Sequence, residues 1–290
     1  MNIRRFCSSL LKHFNFLFPD KLYLTLLYRL EMGHWIDWKN PKTFTEKLQW
    51  LKVYDFKPEY STMVDKLLVK DYVACIIGQE YIIPTLGVWD KVEDIDWGVL
   101  PNQFVLKTTH GGGGGGVVIC LDKSKFNSDI AEKKLLTSMH SNAGKTLREK
   151  PYLKVHRRII AETFITNSGN ELKDYKFFCF DGKMRFFKVD FGRFVNHHAN
   201  YYSPAGELLQ FGEAELLPDF NRSEVMPDNL DEMIALAEKL STGHKFLRVD
   251  LYNTNGKIYF GELTFYPASG LGKFAPEESD MMIGKMLNLN

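Results

Sequence analysis

Six consecutive glycines, Gly111 to Gly116, stand between the apolar runs Phe104-Val-Leu-Lys107 and Val117-Val-Ile-Cys-Leu121. The pattern predicts a strand, a loop without side chains and a return strand. Such a loop tolerates positive φ and lets backbone N–H groups close on an anion, because no Cβ stands in the way. Lys107, late in the first strand, sets a positive charge beside it. A plain hairpin connector is the competing reading. Against it stands the entropy lost in fixing a glycine run, where about two to five residues suffice to turn a hairpin.

Any anion site must be local, because 37 basic residues meet 36 acidic ones and the net charge is +1. A balance of that kind leaves no broad positive field for nucleic acid. With 290 residues, 44% of them hydrophobic, the chain can bury a sizeable core. Cys7, Cys75, Cys120 and Cys179 lack CxxC spacing, which suits reduced thiols and no zinc site. No apolar run approaches the roughly 20 residues of a membrane span, and the first residues lack a secretory pattern. The expectation is a cytoplasmic protein.

Residues 1–80 read as a helical region. Leu10, Leu11, Phe14, Leu17 and Phe18 precede Pro19, and Leu22, Leu26, Leu27 and Leu30 follow it, which predicts a helical hairpin over 3–32. Arg4, Arg5, Lys12, Lys21 and Arg29 lie among these apolar residues, so two fates fit: packing on the rest of the domain, or peripheral contact with an anionic membrane at its inner face. Thr43-Phe-Thr-Glu46 reads as a capping box opening the next helix, and another helix runs from Asp65 to about Ile77. From Tyr81 onward strands dominate, giving an α+β chain. Asp174–Phe180 and Met184–Val189, joined at Asp181-Gly182, predict an antiparallel hairpin. Leu230–Leu240 predicts a helix. A second hairpin joins Phe246–Tyr252 to Lys257–Thr264 through Asn255-Gly256.

On that last hairpin Arg248 and Asp250 share one face, as do Glu262 and Thr264, and the turn sets Asp250 roughly opposite Glu262. Two facing carboxylates repel unless a cation joins them, and a hard ion such as Mg²⁺ suits an all-oxygen pair. Arg248 beside them can neutralise a phosphoryl group. A solvated polar face is the alternative.

Asp65-Lys66 heading a helix, Ile83-Pro84-Thr85, Phe104-Val-Leu-Lys107 with its glycine loop, Ile160-Ala-Glu162-Thr-Phe-Ile165, Arg248-Val-Asp250 and Glu262-Leu-Thr264 together resemble the ATP-grasp superfamily. Pro41-Lys-Thr-Phe-Thr-Glu-Lys47, Asp174-Tyr-Lys-Phe, Arg248-Val-Asp-Leu-Tyr252 and Gly261-Glu-Leu-Thr-Phe265 are similar to its TupA-like branch, named from teichuronopeptide synthesis. The resemblance implies two α+β lobes clamping ATP, a smaller one over 81–165 and a larger one, with the metal site, over 166–290. It makes the glycine run, Gly112, Gly113, Gly114 and Gly115 included, a lid over the phosphates. Lys107 would hold the α- and β-phosphates, with Lys66 and Lys176 as further phosphate contacts. Glu162 would lie on the connection between lobes and help read adenine, and Asp174 would reach the ribose. Asp250, Glu262 and Thr264 would bind Mg²⁺, threonine standing where relatives commonly carry asparagine. Arg248, Lys107 and Lys176 would serve catalysis.

Most of the superfamily activates a carboxylate as an acyl phosphate that an amine then attacks. The branch implies an ATP- and Mg²⁺-dependent carboxylate-amine ligase that attaches an amino acid or amino group to a sugar acid in bacterial surface polysaccharide biosynthesis. A sugar kinase and a glycosyltransferase are the alternatives. Ser269 and Gly270, in the loop after the metal-binding strand, are candidate substrate contacts. So is Arg185, with the proviso that Arg185 and Lys188 occupy opposite faces of one strand and one at most joins the site.

Overall fold

A computed structural model of the chain describes residues 3–111, 115–166, 172–192, 196–222 and 224–289. The helices α1 (Ile3–His13), α2 (Asp20–Met32), α3 (Phe44–Tyr54), α4 (Tyr60–Val64) and α5 (Leu68–Ile77) come first. Strands β1 (Thr85–Trp89), β2 (Phe104–Thr108) and β3 (Val117–Cys120) follow, then α6 (Ser128–His140), α7 (Ala143–Thr146) and α8 (Lys150–Leu153). Next come β4 (Ile159–Thr163), β5 (Lys173–Phe180), β6 (Lys183–Phe191), β7 (His198–Tyr202) and β8 (Gly212–Glu213). The chain closes with α9 (Leu230–Ser241), β9 (Phe246–Thr254), β10 (Lys257–Thr264), β11 (Phe274–Ala275) and α10 (Glu278–Gly284).

Local chemistry sets these boundaries. Pro19 precedes α2, and Gly33, at φ 93°, ends it by returning its N–H to the Arg29 carbonyl. At α3 the Thr43 hydroxyl accepts from the Glu46 N–H while the Glu46 carboxylate accepts from the Thr43 N–H, the reciprocal capping box expected from the sequence. Asp181 and Gly182 have φ of 48° and 74°, and Asn255 and Gly256 have 54° and 83°. Paired positive φ is the turn geometry whose twist matches antiparallel strands, so both hairpins close tightly.

The chain divides into two compact units. One comprises Met1–Phe56, Thr146–Glu149 and Lys173–Asn290, the other Lys57–Lys145 and Lys150–Leu172. The helical residues 1–80 are therefore shared between units, α1 to α3 going to the first and α4 and α5 to the second.

In the first unit a five-stranded antiparallel sheet runs β10-β9-β5-β6-β7. One face, with Phe177, Leu247 and Val249 buried, packs on α9. The other is aromatic at one end, where Phe44 of α3 meets Phe180 and Phe246 at centroid distances of 5.8 and 5.0 Å. Its other end is polar. The second unit holds an antiparallel sheet of order β1-β4-β2-β3. Its core joins Phe104, Leu106, Val118, Ile159 and Ala161 to Ala131 and Leu135 of α6.

Candidate active site

The polar end of the larger sheet is a band of charge laid down by strand register. Asp250 on β9 faces Lys176 on β5, Lys176 faces Lys188 on β6, and Asp174 faces Asp190. On the other side of β9 a β-bulge at Gly261 shifts the pairing, so that Glu262 lies opposite Asp250 and Thr264 opposite Arg248. The bulge is tight: a Cβ on Gly261 would stand 3.0 Å from the Asp250 carbonyl oxygen and 3.2 Å from the Tyr252 ring.

Arg248 gathers three of the expected metal ligands. Its Nε and one terminal nitrogen donate to the two Asp250 oxygens at 2.7 Å each. The same terminal nitrogen donates to Glu262 at 3.0 Å and to the Thr264 hydroxyl at 3.1 Å. Lys176 reaches Asp250 at 3.2 Å and Asp190 at 3.6 Å, and also pairs with Asp174. Lys188 continues the band to Glu213 at 2.9 Å, which also accepts from the Tyr201 hydroxyl at 2.8 Å.

Asp250 is 2% exposed, and burial raises its pKa, with Asp174 and Glu262 adding to the rise against Arg248 and Lys176. The Lys176 pKa is raised as well, for a different reason. Burial opposes its charge, but Asp174, Asp250 and Asp190 outweigh burial and hold the ammonium protonated. The region thus welcomes another cation at its carboxylates and keeps its own cations charged.

These donors fit Mg²⁺. Asp250, Glu262 and Thr264 offer only oxygens, and the guanidinium that now bridges them occupies the place of a positive charge. Among the described residues no cluster of three or more His, Cys, Asp or Glu could hold a metal alone. Two carboxylates completed by phosphate oxygens and water match how Mg²⁺ is commonly bound.

The second unit carries its own cluster. Glu162 lies within β4, buried, and pairs with Lys70 at 2.5 Å and Lys107 at 2.6 Å. Burial alone would raise its pKa, but Lys107 and Lys70 together bring it down. Lys70, on α5, also donates to the Ile83 carbonyl and the Thr85 hydroxyl, each at 2.8 Å. The expected position of Glu162, on a connection between lobes, gives way to one inside a sheet, where two lysines engage its carboxylate. Lys66 donates its backbone N–H to the Thr109 carbonyl at 3.0 Å and its ammonium to the Gly111 carbonyl, at the entry to the glycine run. At the start of α5 the Asp65 carboxylate accepts from the Leu67 and Leu68 N–H groups at 2.9 and 3.2 Å, and it pairs with Arg158 at 3.3 Å.

Gly112, Gly113 and Gly114 lie outside the described residues. Gly115 is exposed, with open space where a Cβ would stand. Gly116 is confined, for a Cβ there would collide with the Thr108 and Ser138 hydroxyls. Those two hydroxyls bond each other at 2.8 Å, and His110 contacts the Ser138 carbonyl at 3.2 Å, so β2 and the loop ends are pinned to α6.

Three sequence-expected substrate contacts take other positions. Arg185 is exposed near the Asp181-Gly182 turn, while Lys188 is the member of that strand that joins the charged band. Ser269 and Gly270 turn inward within three successive positive-φ residues, Ala268 at 45°, Ser269 at 56° and Gly270 at 62°. Gln49 holds the Ser269 and Gly270 carbonyls at 2.9 and 2.8 Å. Lys52 donates to the Ser269 carbonyl at 2.8 Å, its hydroxyl at 2.6 Å and the Leu147 carbonyl at 2.9 Å. The Ser269 hydroxyl also bonds the buried carboxylate of Glu149. Burial pushes Lys52 down to about 8 and Glu149 up.

Lys70, Lys52, Glu149, Asp190 and Glu213 had no place among the sequence expectations. A lone lysine in an apolar helix such as Leu68–Ile77 is the signal that Lys70 offered.

A charged band of this kind on one antiparallel sheet, with a glycine-loop hairpin on another, defines an ATP-grasp enzyme, a class that uses ATP with Mg²⁺. The sequence profile described as TupA-like ATPgrasp matches residues 46–288, and the chain belongs to that family. No curated protein matches the sequence. Among solved structures it is similar to a D-alanine–D-alanine ligase from Bacillus anthracis complexed with ATP, at 18% identity and a TM-score of 0.39, covering 70% of this chain and 54% of that one. The Helicobacter pylori D-alanine–D-alanine ligase shows 17% identity and a TM-score of 0.40, covering 84% of this chain and 69% of that one. The Vibrio cholerae D-alanyl-alanine synthetase A shows 13% identity and a TM-score of 0.44, covering 76% and 62%. The chain spans about half the length of the first of these, at 54%.

Proposed function

We propose that the protein is an ATP- and Mg²⁺-dependent carboxylate-amine ligase, and that it joins an amino acid or amino group to a sugar acid in bacterial surface polysaccharide assembly. The observation that carries the ligase reading is the set Asp250, Glu262 and Thr264, all oxygen donors, held within hydrogen-bond distance of one arginine. The sugar acid rests on the TupA-like family alone.

Bound MgATP would supply the γ-phosphoryl group that turns the carboxylate into an acyl phosphate for the amine to attack. This chain's residues supply charge and position. Asp250 and Glu262 would hold Mg²⁺, with Thr264 as a neutral oxygen beside them. Arg248 would then turn part of its fork to the phosphoryl oxygens, a geometry that guanidinium recognises well. Lys107 and Lys66 would meet phosphate oxygens, with Glu162 holding Lys107 and Lys70 in place until they do. Lys176, kept protonated by three aspartates, orients Asp250 and cannot act as a base near neutral pH. Phosphoryl transfer asks for this kind of neutralisation and alignment more than for proton transfer.

Calorimetry with MgATP tests the reading, on the wild type and on Asp250→Asn and Lys107→Ala. Micromolar binding lost in both variants is the expected result, followed by phosphate release and amide formation when uronic acids are screened with amino acids. Binding of a nucleotide-sugar in place of MgATP would overturn it, and phosphorylation of a sugar hydroxyl without an amine would replace the ligase with a kinase.

A further inference from the structure

A surface helix ordinarily buries its apolar stripe and shows its polar side to water. Helix α1 leaves its apolar stripe open as well, with Ser8 its buried residue. Ile3, Phe6, Leu10 and Phe14 recur at helical spacing along one face, and they are 76%, 49%, 49% and 40% exposed. Phe16 and Leu17, just beyond, are 66% and 64% exposed. The side turned to α2 is largely polar: Ser8 and Lys12 both donate to the Glu31 carboxylate, and Leu11 is the apolar residue that reaches the Tyr23, Leu24 and Leu27 cluster.

The charge on this segment has one sign. Within Ile3–His13 the ionised side chains are Arg4, Arg5 and Lys12, with His13 beside them and no aspartate or glutamate. The carboxylates that follow are engaged by basic groups, Asp20 by Arg148 at 3.0 Å and Glu31 by Lys12 at 2.9 Å. Lys21, exposed at the start of α2, adds a further cation. An apolar face this open on a soluble protein marks an interaction surface, and its basic surround selects an anionic partner. A second copy of the chain would bring two acid-free, cationic helices together, which disfavours it.

We propose that α1 and the Phe16-Leu17 turn form a docking surface for an anionic lipid membrane. The helix would lie in the interfacial plane, with its apolar face among the acyl chains and its arginines and lysines at the headgroups. No helix among the described residues is long and apolar enough to cross a membrane, so attachment would be peripheral and reversible. The surface lies outside the charged band and the Lys107 cluster, and the inference stands apart from the ligase reading.

Co-sedimentation of the full chain with two kinds of vesicle tests it: pure phosphatidylcholine, and phosphatidylcholine mixed equally with phosphatidylglycerol. Binding is expected with the anionic vesicles and not with the neutral ones. The paired variant Phe6→Ser/Leu10→Ser should weaken it about a hundredfold, at roughly tenfold for each apolar side chain. Arg5→Gln should weaken it about fivefold. All three positions are exposed, so MgATP affinity and melting temperature should stay at wild-type values. Failure to bind anionic vesicles, or equal binding to neutral ones, would overturn the proposal. So would sedimentation showing a dimer that Phe6→Ser/Leu10→Ser abolishes, since a second copy would then be the occupant.

Discussion

Replacing Arg248 with methionine separates its two roles, as a cation in the fold and as a group for the phosphoryl transfer. The guanidinium makes four hydrogen bonds, at 2.7, 2.7, 3.0 and 3.1 Å, to Asp250, Glu262 and Thr264. Without it Asp250, 2% exposed, keeps Lys176 at 3.2 Å as its described ion-pair partner, and Lys176 is shared with Asp174 and Asp190. Removing one member of a buried ion pair costs about 3–5 kcal/mol. Against a total stability of about 5–15 kcal/mol, the variant stays folded at room temperature in most of that range. The three oxygen donors that Arg248 bridged are then released to a metal. Mg²⁺ at about a hundred times its dissociation constant should return roughly 2.7 kcal/mol by mass action. Wild-type protein without nucleotide should gain much less, because its arginine already supplies the charge. Urea unfolding of both proteins, with MgCl₂ and with NaCl at matched ionic strength, gives the four free energies needed. An equal Mg²⁺ response in the two proteins, or a loss below about 1 kcal/mol in the variant, would refute the idea that Arg248 stands in for a cation at these carboxylates.

Lys52 should give stability a pH dependence between its folded and ordinary values. Burial lowers it from 10.5 to about 8, so the unfolded chain binds the extra proton between those limits. Stability should therefore rise as pH rises through that window, by up to about 3 kcal/mol. The urea midpoint of Lys52→Met, followed from pH 7.5 to 9.5 beside wild type, should lack that rise, and parallel curves would exclude the effect. At the glycine run, Gly116→Ala should cost about 1–3 kcal/mol through collision with Thr108 and Ser138. Gly116→Ala combined with Thr108→Ala and Ser138→Ala should recover part of it in the same assay, and no recovery would mean that backbone conformation, not side-chain space, requires the glycine.

Local sequence was a good guide where a few neighbouring residues decide the outcome. Asp181-Gly182 and Asn255-Gly256 specify their own turns, and Thr43 and Glu46 cap each other, so both hairpins and α3 were legible. The Asp250 and Glu262 pair was legible too, although the Gly261 bulge that puts them face to face was not. A bulge is set by the partner strand, and Gly261 in isolation is one glycine in a β-run. Lys70 shows the limit more plainly. In Leu68–Ile77 it reads as a polar residue on a helix surface, and only the strands that bring Glu162, Thr85 and the Ile83 carbonyl to it make it a buried ion-pair partner. Ser269 reads as a loop hydroxyl open to substrate, but Lys52 and Glu149, more than a hundred residues earlier, draw it inward. The division into units escaped a linear reading for the same reason, since Thr146–Glu149 rejoins the first unit while the residues on either side belong to the second.

Those long separations bear on how the chain is made. Gln49 and Lys52 find their partners in the Ser269-Gly270 turn 217 to 221 residues later. At a synthesis rate of about 5–20 residues per second, the α3 groups wait on the order of 10–40 s for them. The second unit emerges whole during that interval and can complete its sheet first. On the ribosome α3 is thus made before the second unit and meets its last partners after it, and a chain that stops short of Ser269 leaves the Lys52 ammonium without two of its three acceptors.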